Sequence, residues 1–146
     1  MPNCSAIMTR APVYCLPEDS VNAAADLMRT HDVGSLPVLE PGGSRRLVGI
    51  VTDRDLVVKI VAGNRCAETA LVRDTMTAHP TSCAEHEDVV QALTLMAAAR
   101  VRRLPVVDGE GRLVGIIAHA DVANRIQRDL KTAELREGMS EPPSGR

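Results

Sequence analysis

The chain has 146 residues, 45% hydrophobic and 25% charged, with 17 Lys and Arg against 19 Asp and Glu for a net charge of −2. A polypeptide of this size buries roughly 70% of its unfolded surface, enough for one cooperative domain, which excludes a disordered protein. Near-balanced charge leaves no global basic field for nucleic acid or anionic membrane, and with one Tyr, no Phe and no Trp there is no aromatic platform on which bases could stack. No apolar run approaches the length of a membrane span and no export leader is recognisable, so a cytoplasmic location is expected.

In chain order, residues 1–11 form an arm containing Ser5-Ala6-Ile7-Met8-Thr9. Pro12 then opens a strand over 13–16, and Pro17-Glu18-Asp19-Ser20 provides turn chemistry and a cap for a helix over 21–30. Val21, Ala24, Ala25 and Met28 make its apolar stripe, whose small residues predict close packing against another repeat or a second subunit. A strand over 35–39 follows, with Pro37 demanding an edge or irregular position, and residues 40–44 turn the chain as a hairpin loop.

The next stretch, Leu47-Val48-Gly49-Ile50-Val51-Thr52-Asp53-Arg54-Asp55-Leu56, joins a buried strand to a helix. Thr52 as N-cap with Asp55 three residues on makes a capping box, which satisfies orphan backbone donors. The same open helix end can also receive a phosphorylated ligand, with Asp55 accepting from sugar hydroxyls, and both readings stand at this point. The helix runs through Ile60 and Val61 to Gly63, and residues 64–73 read as a linker.

Then the pattern restarts. Leu36-Pro37-Val38 recurs 68 residues on as Leu104-Pro105-Val106, and Leu47-Val48-Gly49-Ile50 recurs 66 residues on as Leu113-Val114-Gly115-Ile116. Met8-Thr9 matches Met76-Thr77, and Cys15, Val21, Ala24 and Met28 fall on Cys83, Val89, Ala92 and Met96. Two similar units are therefore expected to pack on one another about an approximate two-fold axis. The second comprises a helix over 89–99, strands over 103–107 and 113–117 around the turn Asp108-Gly109-Glu110-Gly111, and a helix from Asp121 towards Leu135. Residues 137–146 have the makeup of a disordered tail. The chain divides into repeats at 1–63 and 74–130, with 131–146 as helix end and tail.

The four cysteines, Cys4, Cys15, Cys66 and Cys83, form no C-x-x-C pair and are expected reduced. Cys15 and Cys83 occupy equivalent positions, as packing residues or as a redox pair across the two-fold axis. His79, Cys83 and His86 are loosely spaced as metal ligands but lack a fourth partner, so no metal is expected. No nucleophile elbow, phosphate-loop lysine motif or zinc-protease helix is present, and an enzyme is not expected.

The paired units, each with Leu-Pro-Val, then Leu-Val-Gly-Ile, then an Asp opening a helix, resemble the tandem cystathionine β-synthase (CBS) domain module over about residues 5–128. Residues 47–57 and 101–106 resemble the stand-alone, hypoxia-induced mycobacterial members of that family. The resemblance implies an α/β fold of two β-α-β-β-α repeats, pairing of modules into a homodimer, and clefts that bind an adenosine-containing molecule such as AMP, ADP, ATP, S-adenosylmethionine or NAD, with no tightly held cofactor. In the first cleft it assigns Thr52 to the phosphate side, beside Arg54, and Asp55 to the ribose. Thr9 and the backbone at Val13 and Tyr14 would border the adenine, with Val33, Gly34 and Val51 as apolar walls. The second cleft departs from the pattern: Ala118 stands where Thr52 stands and His119 where Asp53 stands, leaving Asp121 as sugar contact and Thr77 as the match of Thr9. Arg100, Arg102 and Arg103 are the densest positive cluster, and alternation along a strand predicts that only one of Arg102 and Arg103 faces the cleft. A regulatory module acting on an unidentified protein target is the leading expectation, with a structural dimerisation scaffold and a thiol-based redox sensor as alternatives.

Overall fold

The duplication read in the sequence gives two hydrophobic cores, one for each repeat. The computed structural model describes residues 1–140. A one-turn helix α1 (Cys4–Ile7) and a two-residue strand β1 (Thr9–Arg10) lead to α2 (Val21–His31), the hairpin β2 (Ser35–Leu39) and β3 (Leu47–Thr52), and α3 (Asp53–Leu56). After a π-turn at Val57–Val61 and a 3₁₀ turn at Val72–Asp74, the second copy contributes β4 (Thr77–Ala78), β5 (Cys83–Ala84), α4 (Val89–Ala99), the hairpin β6 (Arg103–Val107) and β7 (Leu113–Ala118), and α5 (His119–Ser140).

Local chemistry sets the helix ends. The Ser20 hydroxyl accepts from the Ala23 N–H at 3.0 Å and the Asp88 carboxylate from Val90 N–H at 2.8 Å, so equivalent caps start α2 and α4. Each helix then stops on a left-handed residue, Asp32 (φ 52°) and Arg100 (φ 57°), which frees the chain to turn into the following strand.

One core gathers Val21, Ala24, Met28, Leu36, Val38, Val51 and Ile60, and the other Val89, Ala92, Met96, Leu104, Val106, Ile117 and Val122. Fully burying each of the Val, Leu, Ile and Met side chains among these contributes about 1.5–3 kcal/mol. The stripe of α2 therefore packs on the sheet of its own repeat, because Ala24 is buried there, while Ala25 points to solvent.

The sheets themselves are mixed between repeats. β1, from the first arm, pairs antiparallel with β7 through Thr9 with Ile116 and Arg10 with Gly115, giving a four-stranded sheet in the order β1-β7-β6-β5. β4, from the second arm, pairs with β3 through Gly49 with Ala78 and Ile50 with Thr77, giving the order β2-β3-β4. Each repeat thus completes its sheet with the other's arm. The hairpin loops also meet, since Leu47 N–H donates to the Gly111 carbonyl at 3.1 Å and Leu113 N–H to that of Arg45 at 2.8 Å.

Several expectations change. The strand over 13–16 reduces to one bridge, Cys15 to Val38, with Cys15 N–H donating to the Pro37 carbonyl at 3.0 Å. Pro37 itself lies on β2, at the edge of its sheet, as its missing N–H requires. The expected linker is part of the first core: Ala70 and Val72 are buried, and Val72 N–H donates to the Asp19 carbonyl at 2.8 Å. Residues 137–140, expected in a disordered tail, continue α5, while residues 141–146 lie outside the described residues.

Candidate functional site

The capping box at the start of α3 forms as its sequence dictates. Asp55 N–H donates to Thr52 Oγ1 at 3.1 Å, Thr52 N–H donates to Asp55 Oδ2 at 3.0 Å, and Lys59 Nζ lies 3.7 Å from Asp55 Oδ1. Its carboxylate is therefore already engaged on both oxygens, and Asp55 does not line the adjacent cavity. Its neighbour Asp53 does, with Oδ1 accepting from Arg54 N–H at 2.8 Å and Oδ2 lying beside Gly34.

Of the cavities that straddle the repeats, one lies between the first arm and α5, and two lie where the hairpin strands meet the helix starts; the composition of these two differs from the expected grouping. The first, about 580 Å³, is lined by Gly34, Ser35, Ile50, Thr52, Asp53 and Arg54 of the first repeat and by Arg100, Val101, Arg102 and Arg103 of the second. The second, about 400 Å³, sets Thr9, Val13, His31 and Val33 of the first repeat against Ile116, Ala118, Ala120 and Asp121 of the second, with Ser35 and Arg103 again in the wall. Val13 and Val33, expected with Asp55, thus face Asp121, while Thr52 faces Val101 and the arginines. The loop-to-helix end of each repeat completes the apolar wall of the other.

Strand alternation explains a second correction. Along β3 and β7, Val51 and Ile117 point into the cores at 0% exposure, so Val51 is no cleft wall, and Ile50 and Ile116 line the clefts instead. Arg102 and Arg103 both line the first cleft, because Arg102 precedes β6 in a bend where strand alternation has not begun. Tyr14 turns away and carries Arg45 over its ring at 5.6 Å, His119 opens α5 with its N–H donating to the Arg102 carbonyl at 2.7 Å, and Thr77 pairs with Ile50 in β4; none of the three lines either cleft. Sequence reasoning missed Ser35, Ile50, Asp53 and Ile116, although the two-residue burial period of the strands marks both isoleucines.

Charge separates the clefts. Four guanidinium groups against one carboxylate surround the first, and among the described residues none of the four makes an ion pair or a side-chain hydrogen bond. One arginine and one carboxylate line the second. That carboxylate, Asp121, also makes no hydrogen bond or ion pair among the described residues.

Cys15 is a buried packing residue of the first core and Cys83 of the second, so the alternative of a redox pair across the two-fold axis does not form. Cys83 instead donates its S–H to the Pro105 carbonyl at 3.9 Å in the core it shares with Cys4, and burial pushes both thiols up. Among the described residues no group of three His, Cys, Asp or Glu side chains is placed to hold a metal ion. No helix of the described residues is long and apolar enough to cross a membrane.

Two β-α-β-β-α units that exchange arms and meet in paired clefts define a tandem-repeat α/β module. The CBS domain model matches residues 4–62 and again 72–128, and the chain belongs to the CBS domain family. It is 37% identical over 117 residues to Hypoxic response protein 1 of Mycobacterium tuberculosis, covering 80% of either chain. Among solved structures, that of Hypoxic Response Protein I with two coordinated zinc ions superposes with a TM-score of 0.76 at 32% identity, over 84% of this chain and 97% of the other. CBSX2 in complex with AMP superposes with a TM-score of 0.76 at 25% identity, over 88% and 98%.

Proposed function

We propose that this protein is a regulatory module that binds an adenosine-containing molecule in its two cross-repeat clefts and changes its dimer or partner geometry in response. The observation that carries this reading is Asp121: an unpaired carboxylate at the first turn of α5, opposite Val13, Val33 and Ile116. A free carboxylate accepts hydrogen bonds from two vicinal ribose hydroxyls, and aliphatic walls hold a flat base without aromatic stacking. Thr52 and the arginines of the first cleft suit a phosphate tail, and the relative CBSX2 has been solved with AMP. Asp55 joins that cleft by releasing Lys59 when a sugar arrives. No constellation for nucleophilic or acid–base catalysis is proposed, nor a nucleic-acid or membrane surface, and a cytoplasmic location accords with reduced thiols.

The homodimer part of the proposal rests on Val57, Val58 and Val61, exposed by 57%, 53% and 71% along one flank of the π-turn. The same patch favours a second reading, a scaffold whose clefts are vestigial. Thermal unfolding with AMP, ADP, ATP, S-adenosylmethionine and NAD(H) separates the two. A ligand at 100 times its dissociation constant adds about 2.7 kcal/mol, whereas melting curves unmoved by all of them at millimolar concentration leave the scaffold.

A further inference from the structure

Ser35 and Arg103 hold equivalent positions, the first residues of β2 and β6, and both line both clefts. A perfect duplication would make the clefts alike. They are not alike at the three places nearest this junction. Thr52 and Arg54 of the first cleft are matched by Ala118 and Ala120 in the second, and the arginine-bearing wall of the first, Arg100 to Arg103, is matched by the wall carrying Val33 and Ser35. The consequence is four arginines against one aspartate on one side and one arginine against one aspartate on the other, and the arginine of the second cleft is the shared Arg103.

We infer that the two clefts select by the charge of the ligand's tail, the first taking a nucleoside polyphosphate and the second an adenosine compound with an uncharged tail, so that one chain holds one of each. This rests on the adenosine reading of the clefts given above. In the first cleft the guanidinium groups have no internal carboxylate to release, so a triphosphate meets donors already free, and charge-assisted contacts of this kind form at little reorganisation. In the second cleft, Asp121 offers a ribose its acceptor as a carboxylate does in the first, but Ala118 and Ala120 provide neither hydroxyl nor cation for a phosphate. Arg103 cannot offset this once a polyphosphate beside Arg54 and Arg102 has drawn it across the junction. Paired occupancy by unlike ligands would make the chain a reader of two concentrations at once.

Methyl NMR on the intact chain tests this with ATP and adenosine as probes, because Ile50 and Val101 report the first cleft while Val33 and Ile116 report the second. The preference for ATP over adenosine should be at least about tenfold greater at the first cleft, the scale of one charge-assisted contact, and a mixture should shift both sets together. Arg54→Ala with Arg102→Ala should erase the first cleft's preference. Ala120→Arg, an exposed position, should create one at the second, so the outcome does not depend on a loss that misfolding could mimic. Equal preferences in the two clefts, or Ala120→Arg leaving the second unchanged, overturns the inference but leaves both as nucleoside sites. Failure of both probes to shift any of the four residues overturns the adenosine reading and the inference with it.

Discussion

Met8 of the first arm lies across Gly115 of β7, its sulfur only 2.5 Å from where a Cβ on that glycine would stand. Met76 lies across Gly49 in the same way, at 2.7 Å. The Thr9 carbonyl is 2.8 Å from the same point on Gly115, so backbone as well as side chain must move. Gly115→Ala should destabilise the fold by about 1–3 kcal/mol through overpacking. Urea unfolding of Gly115→Ala, Met8→Ala and the double variant checks this: part of the cost should be recovered in the double, and strict additivity would show that the sulfur is not the obstacle.

Asp55, beside the first cleft, and Asp121, in the second, should separate stability from binding. Asp55 closes the capping box, so Asp55→Ala should cost about 0.5–2 kcal/mol of stability. Asp121 is unpaired, so Asp121→Ala should leave unfolding almost unchanged and weaken adenosine binding in the second cleft. Calorimetric binding and thermal melts on both variants provide the comparison. In the first cleft, Asp55→Ala should weaken the bound nucleotide more than Arg102→Ala, since three other guanidinium groups remain after the latter.

The thiols predict both reactivity and pH dependence. Cys66 is exposed and its pKa lies below the ordinary value because the Glu68 backbone N–H donates to it, so an alkylating reagent under native conditions should label Cys66 and spare Cys4, Cys15 and Cys83. Burial holds the Cys15 thiol at about 12 instead of 9.0. A raised pKa stabilises the fold fully below the unfolded value, and that stabilisation is lost as pH climbs from about 9 towards 12. Stability should therefore fall on that alkaline limb, and Cys15→Ala should flatten part of it. Peptide mapping by mass spectrometry and melts between pH 7 and 11 check the two claims.

Val58→Asp with Val61→Asp should convert the proposed dimer to a monomer, because charges on a formerly buried apolar patch are costly to desolvate. Sedimentation equilibrium decides this, with an unchanged mass placing the interface elsewhere.

Elements with strong local signals were legible in the sequence. The helix over 89–99 and the strand over 103–107 match α4 and β6 residue for residue, since apolar period, cap and breaker all act within a few positions. The cleft pairings were not legible. Val13, Val33 and Asp55 all belong to one repeat, but the arms cross to the partner repeat through strands of two residues, too short to leave a periodic signature. The expectation that only one of Arg102 and Arg103 faces the cleft failed for a related reason: side-chain alternation holds only inside a strand, and the bend before β6 is invisible in composition. The π-turn at Val57–Val61, closed by Ala62 N–H donating to the Val57 carbonyl at 2.9 Å, keeps the apolar spacing of an ordinary helix and so hides in the same way.

Because β1 completes one sheet and β4 the other, neither half of this polypeptide owns all its strands. A half-length fragment would present β3 or β7 with a bare edge, and the surface best shaped to cover it is the arm of a second fragment. An unfused ancestor would on this view have lived as a reciprocal, strand-swapped couple. Joining the genes then tethered partners that were already interlocked, and left each copy free to drift in chemistry without losing its mate.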